Sequence, residues 1–257
     1  MRGLTTCSEF LVPSSMNPPP PSQPETRNSK LETVVIRNIV QEAPDAWTLS
    51  FDATFAYKPG QSVQILFSGD TKKRYYSISS SPTEKGRLAV TIKIPADHVL
   101  APLLKGLKVG NTVQLEGPFG SFGLPPDLTG VFCFIAGGGG VTPFRSMIKY
   151  LVDTRACVDM WLFHSSRTTA DLIFSTEFSG WMVTQPSFHY ITTLTRSPNV
   201  SDGIMKGRIS EALLRKHVRE RDAHFFLSGP STFVGDMEGL LKGPLAVPVN
   251  HIRREQW

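Results

Sequence analysis

An apolar run from Val131 to Ala136 stops against four consecutive glycines, Gly137, Gly138, Gly139 and Gly140, and continues Val141-Thr142-Pro143-Phe144-Arg145. The run has the length of one buried strand, and proline suits the start of a helix. The stretch therefore predicts a strand, a tight glycine turn and a helix with Pro143 at its first position. Without Cβ atoms the turn lets backbone come close to a ligand, and the free N–H groups of a helix N-terminus favour phosphate. A turn that serves packing alone needs one or two glycines. Four in a row before Val-Thr-Pro favour ligand approach.

The rhythm on either side of Pro125-Pro126 differs. Upstream, short strands are expected at Glu32–Val40, Trp47–Ala53, Ser62–Phe67, Tyr75–Ser79, Arg87–Ile94 and Thr112–Glu116, punctuated by Gly60, Gly69, Pro82, Gly86 and Gly110. Val63, Ile65 and Phe67 alternate, as do Leu88, Val90, Ile92 and Ile94, so one face of each strand is apolar. Six such strands predict an antiparallel barrel or sandwich. Downstream, strands at Val131–Ala136, Val158–His164, Phe188–Leu194 and His224–Leu227 alternate with helices at Pro143–Asp153, from about Thr169, at Ser210–Val218 and at Ser231–Leu241. That order predicts a doubly wound parallel sheet with helices on both faces, binding ligands at the carboxyl ends of its strands.

Three segments result: residues 1–29 as a tail, 30–127 as the β domain and 128–257 as the α/β domain. The tail, with Pro18-Pro19-Pro20-Pro21 and few large apolar residues, cannot bury enough surface to offset ordering and is expected to be disordered. A transit peptide is the alternative for it, but Glu9, Glu25 and the lack of an Arg-rich amphipathic pattern favour a cytoplasmic protein. The remaining composition, 40% apolar and 19% charged, is that of an ordinary globular chain. A net charge of +5 is modest and scattered, apart from Arg215, Lys216, Arg219 and Arg221, so no nucleic-acid partner is expected. No apolar run approaches the roughly 20 residues that span a bilayer. Cys7, Cys133 and Cys157 fit neither a disulfide framework, a zinc site nor an iron–sulfur cluster, and the six histidines show no metal-ligand spacing.

A second group of residues, Arg74-Tyr75-Tyr76-Ser77, lies at the end of a predicted strand. A flat redox ring needs an aromatic surface to stack on and a hydroxyl near its nitrogen, and a diphosphate needs a guanidinium that makes paired hydrogen bonds. Taken alone, an edge-strand arginine before a serine turn is commonplace. Taken with Ala136–Pro143 and the late Ser228-Gly229-Pro230, in that order, the set resembles the ferredoxin–NADP reductase family, with its RxYS, AGGxGxTP and CGP motifs. Glu116-Gly117-Pro118-Phe119-Gly120, Arg167 and Gly207-Arg208 fit the same pattern, and the resemblance spans residues 30–257.

That resemblance implies an FAD-binding barrel followed by an NAD(P)-binding domain. It implies that Arg74 pairs with the FAD diphosphate, that Tyr75 and Tyr76 line the flavin with Tyr76 against the ring, and that Ser77 lies near N5. Gly137, Gly138, Gly139, Gly140, Val141, Thr142 and Pro143 would surround the nicotinamide nucleotide, with Ser228, Gly229 and Pro230 beside the nicotinamide. Tyr76, Ser77 and Ser228 are the catalytic candidates. Two departures stand out. Ile94-Pro95-Ala96-Asp97-His98 and the residues after it lack the usual Gly-Gly and Ser of the diphosphate loop, which leaves FMN as the alternative to FAD, and Ser228 replaces the common cysteine. Arg196, after Thr195, with Arg167 nearby, favours NADP over NAD by a small margin. Trp257 resembles the family's terminal aromatic and is expected over the flavin or adenine, with a frayed end as the equal alternative.

The resemblance implies an enzyme that passes a hydride from NAD(P)H to FAD and then electrons to an external acceptor such as ferredoxin, flavodoxin or an oxygenase component. Rival readings are a reductase of a small-molecule acceptor and a nucleotide-binding sensor or structural subunit.

Overall fold

The computed structural model describes residues 30–197, 203–218 and 222–256. The expectations placed on the tail 1–29, on Arg219 and Arg221 and on Trp257 fall outside these residues. Seven strands come first: β1 (Lys30–Val35), β2 (Asn38–Ala43), β3 (Ala46–Asp52), β4 (Ser62–Phe67), β5 (Arg74–Ser77), β6 (Arg87–Lys93) and β7 (Thr112–Phe119). A short helix, α1 (Ala101–Gly106), lies between the last two. They form an antiparallel sheet in the order β1-β7-β4-β5 and a second in the order β2-β3-β6, joined by a bridge between Ile78 and Val90.

The antiparallel class is as expected, with seven strands instead of six because the stretch Glu32–Val40 is two strands. Ile36 still exchanges hydrogen bonds with the β7 side, at Asn111 and Gly110, whereas the Arg37 amide already donates to Ser50 of β3. The chain turns a corner there and changes sheets. Val63, Ile65 and Phe67 of β4 and Leu88, Val90 and Ile92 of β6 point into one shared core with Leu49, Phe51 and Leu115. In β6 the opposite face is covered as well: Ala89 and Thr91 are buried because the residues after β5 fold over them, with Thr91 donating to Ser79 at 2.9 Å.

The second part runs β8 (Gly130–Gly137), α2 (Val141–Asp153), β9 (Val158–Ser166), α3 (Ser175–Thr184), β10 (Phe188–Leu194), β11 (Ile204–Lys206), α4 (Glu211–His217), β12 (His224–Gly229), α5 (Ser231–Lys242) and β13 (Ile252–Gln256). Its strands pair in parallel in the order β11-β10-β9-β8-β12-β13. Side-chain alternation along β8 splits the core in two. Phe132, Phe134 and Ala136 face α2 and α3, and Cys133 and Ile135 face α4 and α5. Phe134 packs against Phe144 and Phe226 at ring separations of 5.2 and 5.0 Å. Each such fully buried phenylalanine contributes about 2 to 3 kcal/mol before ordering entropy is subtracted.

Helix α2 starts at Val141, so Pro143 is its third residue and not its first. A 3-10 turn over Gly138–Gly140 runs straight into the helix and extends it backwards. Proline is still tolerated because the first turn needs no N–H from it. Among the described residues no helix is long and apolar enough to cross a membrane.

The two parts are latched along α2. Arg145, only 8% exposed, grips Glu177 of α3 through two bonds of 2.6 and 2.8 Å, and donates to the Ser79 carbonyl at 2.8 Å and to Glu84 at 3.1 Å. One turn position on, the Ser146 hydroxyl donates to the Ser80 carbonyl at 2.5 Å. Residues 79–84 follow directly from β5, so this latch sets β5 against the glycine turn.

Candidate active site

A cleft of about 330 Å³ lies where the carboxyl end of the parallel sheet faces β5 and β6. Arg74, Tyr75, Tyr76 and Ser77 of β5 border it, with Gly139 and Thr142 across the gap. The volume is that of a ring-sized ligand pocket. Among the described residues strand β5 pairs on one side only, with β4, so its other edge is open to the cleft.

Arg74 is oriented by an ion pair with Asp70 and by the Lys72 carbonyl at 3.1 Å. Burial would raise the Asp70 carboxyl, but Arg74 and the amides of Lys72 and Thr71 outweigh it and hold the pKa below the usual range. Among the described residues the buried Tyr76 hydroxyl has no hydrogen-bond partner, and burial, opposed by Arg74, pushes its pKa up to about 12. Tyr75 is 60% exposed, with its ring edge-on to Phe119. Ser77 donates from Oγ to Glu255 Oε2 at 3.0 Å, across the two parts of the molecule. Burial raises the Glu255 carboxyl above its ordinary value, and the Ser77 bond only partly offsets this.

The four glycines divide into two pairs. A Cβ on Gly140 would sit 2.0 Å from the Ser228 carbonyl, and one on Gly137 would sit 2.8 Å from the Phe233 ring. Those two serve the packing of β8 against β12 and α5, together with Gly229, whose φ is +150 and whose Cβ would come 3.1 Å from the Gly137 carbonyl. Gly138, at φ +53, faces open space with only Lys93 at its edge, and Gly139 borders the cleft. The ligand-approach reading therefore fits Gly138 and Gly139. Thr142 also borders the cleft and donates to the Gly139 carbonyl at 2.8 Å, whereas Val141 and Pro143 are buried in the helix packing. Ser228 is fully buried beside this turn, its hydroxyl without a partner among the described residues, and Pro230 precedes the first turn of α5.

Arg167 and Arg196 are exposed at the carboxyl ends of β9 and β10, where the Arg196 amide donates to the Arg167 carbonyl at 2.8 Å. They follow the ends of adjacent strands, outside the residues that border the cleft.

Sequence reasoning missed eight residues of the cleft: Ser62, Thr91, Lys93, Ile94, His98, Leu100, Glu255 and Gln256. Thr91 and Lys93 extend from β6, where Lys93 is ion-paired with Asp45 and lies 3.6 Å from Asp171. His98 stands in the loop that lacks the glycine pair, its Nδ1 accepting from the Leu100 amide at 3.1 Å. Glu255 comes from β13. The Glu-x-aromatic at the chain end was the signal for Glu255; nothing local marked the others.

A flavin fits these residues. The pocket is ring-sized, Arg74 stands at its border ion-paired with Asp70, and among the described residues the Tyr76 hydroxyl has no partner.

The comparisons agree. The family model described as the oxidoreductase FAD-binding domain matches residues 44–123, and the one described as the oxidoreductase NAD-binding domain matches residues 134–238. The glycine betaine monooxygenase reductase subunit of Chromohalobacter salexigens is 30% identical over 214 residues, which cover 79% of this chain and 58% of that protein. Ferredoxin–NADP reductase B of Sorangium cellulosum is 27% identical over 226 residues, covering 84% of this chain and 93% of that protein. Among solved structures, the cytochrome P450 reductase GcoB of Amycolatopsis superposes with a TM-score of 0.78 at 23% identity, over 89% of this chain and 71% of that one. The chain thus spans just under three fifths of the length of the first of these relatives. Flavin and nucleotide models in tandem, on a fold whose antiparallel part meets a glycine turn across one cleft, place this chain in the ferredoxin–NADP reductase-like family of FAD- and NAD(P)-binding oxidoreductases.

Proposed function

We propose that this chain takes a hydride from NADPH onto FAD held in the cleft and delivers the electrons to a separate protein acceptor. The observation that carries the reading is the approach of Gly139 and Thr142 to β5 across one ring-sized gap, closed by the Ser77–Glu255 bond. Bound FAD supplies an acceptor for two electrons that releases them singly or in pairs. The protein's part is positioning. Tyr76 backs the ring, Arg74 and His98 serve the diphosphate in place of the absent glycine pair, and Gly138 and Gly139 admit the nucleotide backbone. Holding the two rings in contact turns a bimolecular encounter into an internal step.

NADPH is favoured because Arg167 and Arg196 stand side by side at the strand ends, where the nucleotide's 2′-phosphate would meet two guanidinium groups. The relatives' names, a monooxygenase reductase subunit and a ferredoxin–NADP reductase, support an oxygenase component or an iron–sulfur carrier as the acceptor. The flavin-loaded protein should be bleached by NADPH in the absence of air and recoloured by such a carrier. A protein that binds no flavin would leave only the nucleotide-binding module, and one recoloured only by small oxidants would make the acceptor a small molecule.

A further inference from the structure

Beneath the glycine turn lies a histidine that the reading above does not use. His164 of β9 is paired in register with Ala136 of β8 and is fully buried. Its Nε2 lies 3.1 Å from the carbonyl oxygen of Gly138, and its Nδ1 lies 3.2 Å from the Tyr190 hydroxyl. A carbonyl only accepts, so the ring proton is assigned to Nε2, and Nδ1 accepts from the Tyr190 O–H. Burial, only partly opposed by the Gly138 carbonyl, drives the imidazole pKa down to about 4. The ring is therefore neutral near pH 7, and its single N–H is committed to Gly138, with the Ser166 hydroxyl a longer 3.4 Å away.

Gly138 takes a left-handed backbone, φ +53, and its carbonyl also receives the Val141 amide. A trans peptide is rigid, so its C=O and the N–H that follows point to opposite sides. Drawing the Gly138 carbonyl onto His164 turns the Gly139 N–H the other way, and Gly139 borders the cleft. At the head of a helix such an N–H has no intrahelical acceptor and suits an anionic oxygen.

We propose that His164 is a positioning residue for the pyridine nucleotide, locking the Gly138–Gly139 peptide so that the Gly139 N–H is presented to the nucleotide diphosphate. The inference deepens the proposed function and rests on its assignment of the turn to the nucleotide. Tyr190 acts through His164, keeping the proton on Nε2.

Two polar variants separate positioning from packing. In His164→Gln the side-chain amide nitrogen reaches the place of Nε2, whereas in His164→Asn it reaches only that of Nδ1. NADP⁺ binding to the flavin-loaded protein, read from the flavin difference spectrum, should weaken about fivefold or more in His164→Asn and return to within about twofold of wild type in His164→Gln, as one hydrogen bond predicts. KM for NADPH should follow the binding, with kcat moving less. Equal affinity in all three proteins would overturn the proposal, and so would equal loss in both variants accompanied by lowered melting temperatures. Wild-type protein that binds NADP⁺ but is not reduced by NADPH would defeat the hydride-transfer reading and leave this test standing. Wild-type protein that binds no nucleotide would defeat both.

Discussion

Gly140 shows how narrow the tolerance is at the level of one residue. Its missing side chain makes room for the Ser228 carbonyl, which is backbone and cannot swing aside. Gly140→Ala should lower stability by about 3 kcal/mol or prevent folding, as overpacking against a fixed backbone does, and urea unfolding would measure it. Gly138→Ala meets no such wall and carries only the strain of a positive φ, about 1 kcal/mol. Glu255 makes a prediction of opposite sign. Its carboxyl is raised on folding, so the native protein holds the proton more tightly than the unfolded chain does. Stability is then lost as pH rises from the ordinary carboxyl value through the raised one. Glu255→Gln removes that cost while its amide oxygen still accepts from Ser77. The variant should melt above the wild type at pH 8, and the gap should close at pH 4. A gap that widens in acid would show that the charged carboxylate stabilises the fold.

At the level of elements, the site depends on strands and helices that local sequence reveals unevenly. The glycine turn, β4 and β8 were legible because a period of two and a run of glycines are local signals. Strand β13 was not: Ile252-Arg253-Arg254-Glu255-Gln256 is a polar edge strand that pairs, among the described residues, with β12 alone. The Ser77–Glu255 bond joins residues 178 apart, a pairing that the fold alone creates. Helix α1 was hidden by its six-residue length and by Pro102 within it. The doubled role of the four glycines was hidden for a related reason, since Ser228 and Phe233 reach them from β12 and α5. The latch on α2 was also out of reach, because Arg145 reads as an ordinary helical arginine until Glu177 and the residues after β5 fold around it. Arg145→Met would strand Glu177 and Glu84 beside a largely buried site and should cost about 3 kcal/mol, the usual penalty for removing one partner of a buried pair. The same variant should slow flavin reduction more than it weakens flavin binding, because β5 would lose its register against the turn. Calorimetry and rapid mixing with NADPH check the two halves of that statement.

For the whole molecule, two differently built parts contribute to one cleft, and the proposed site of nucleotide choice lies away from it. Arg167 and Arg196 lie at the far strand ends, so replacing both with alanine should raise KM for NADPH about tenfold or more, as loss of charge-assisted phosphate contacts predicts. KM for NADH should change little. An equal effect on both nucleotides would move the 2′-phosphate elsewhere. The central claim is that β5 and the glycine turn hold a nicotinamide against a flavin ring. A crystal structure with FAD and NADP⁺ bound tests it most directly. The two rings are expected about 3 to 3.5 Å apart, as a near-attack arrangement requires, with the flavin on Tyr76 and the nucleotide diphosphate at the Gly139 amide. A cleft filled by side chains, with either coenzyme bound outside it, would rule out ring-to-ring hydride transfer at this site.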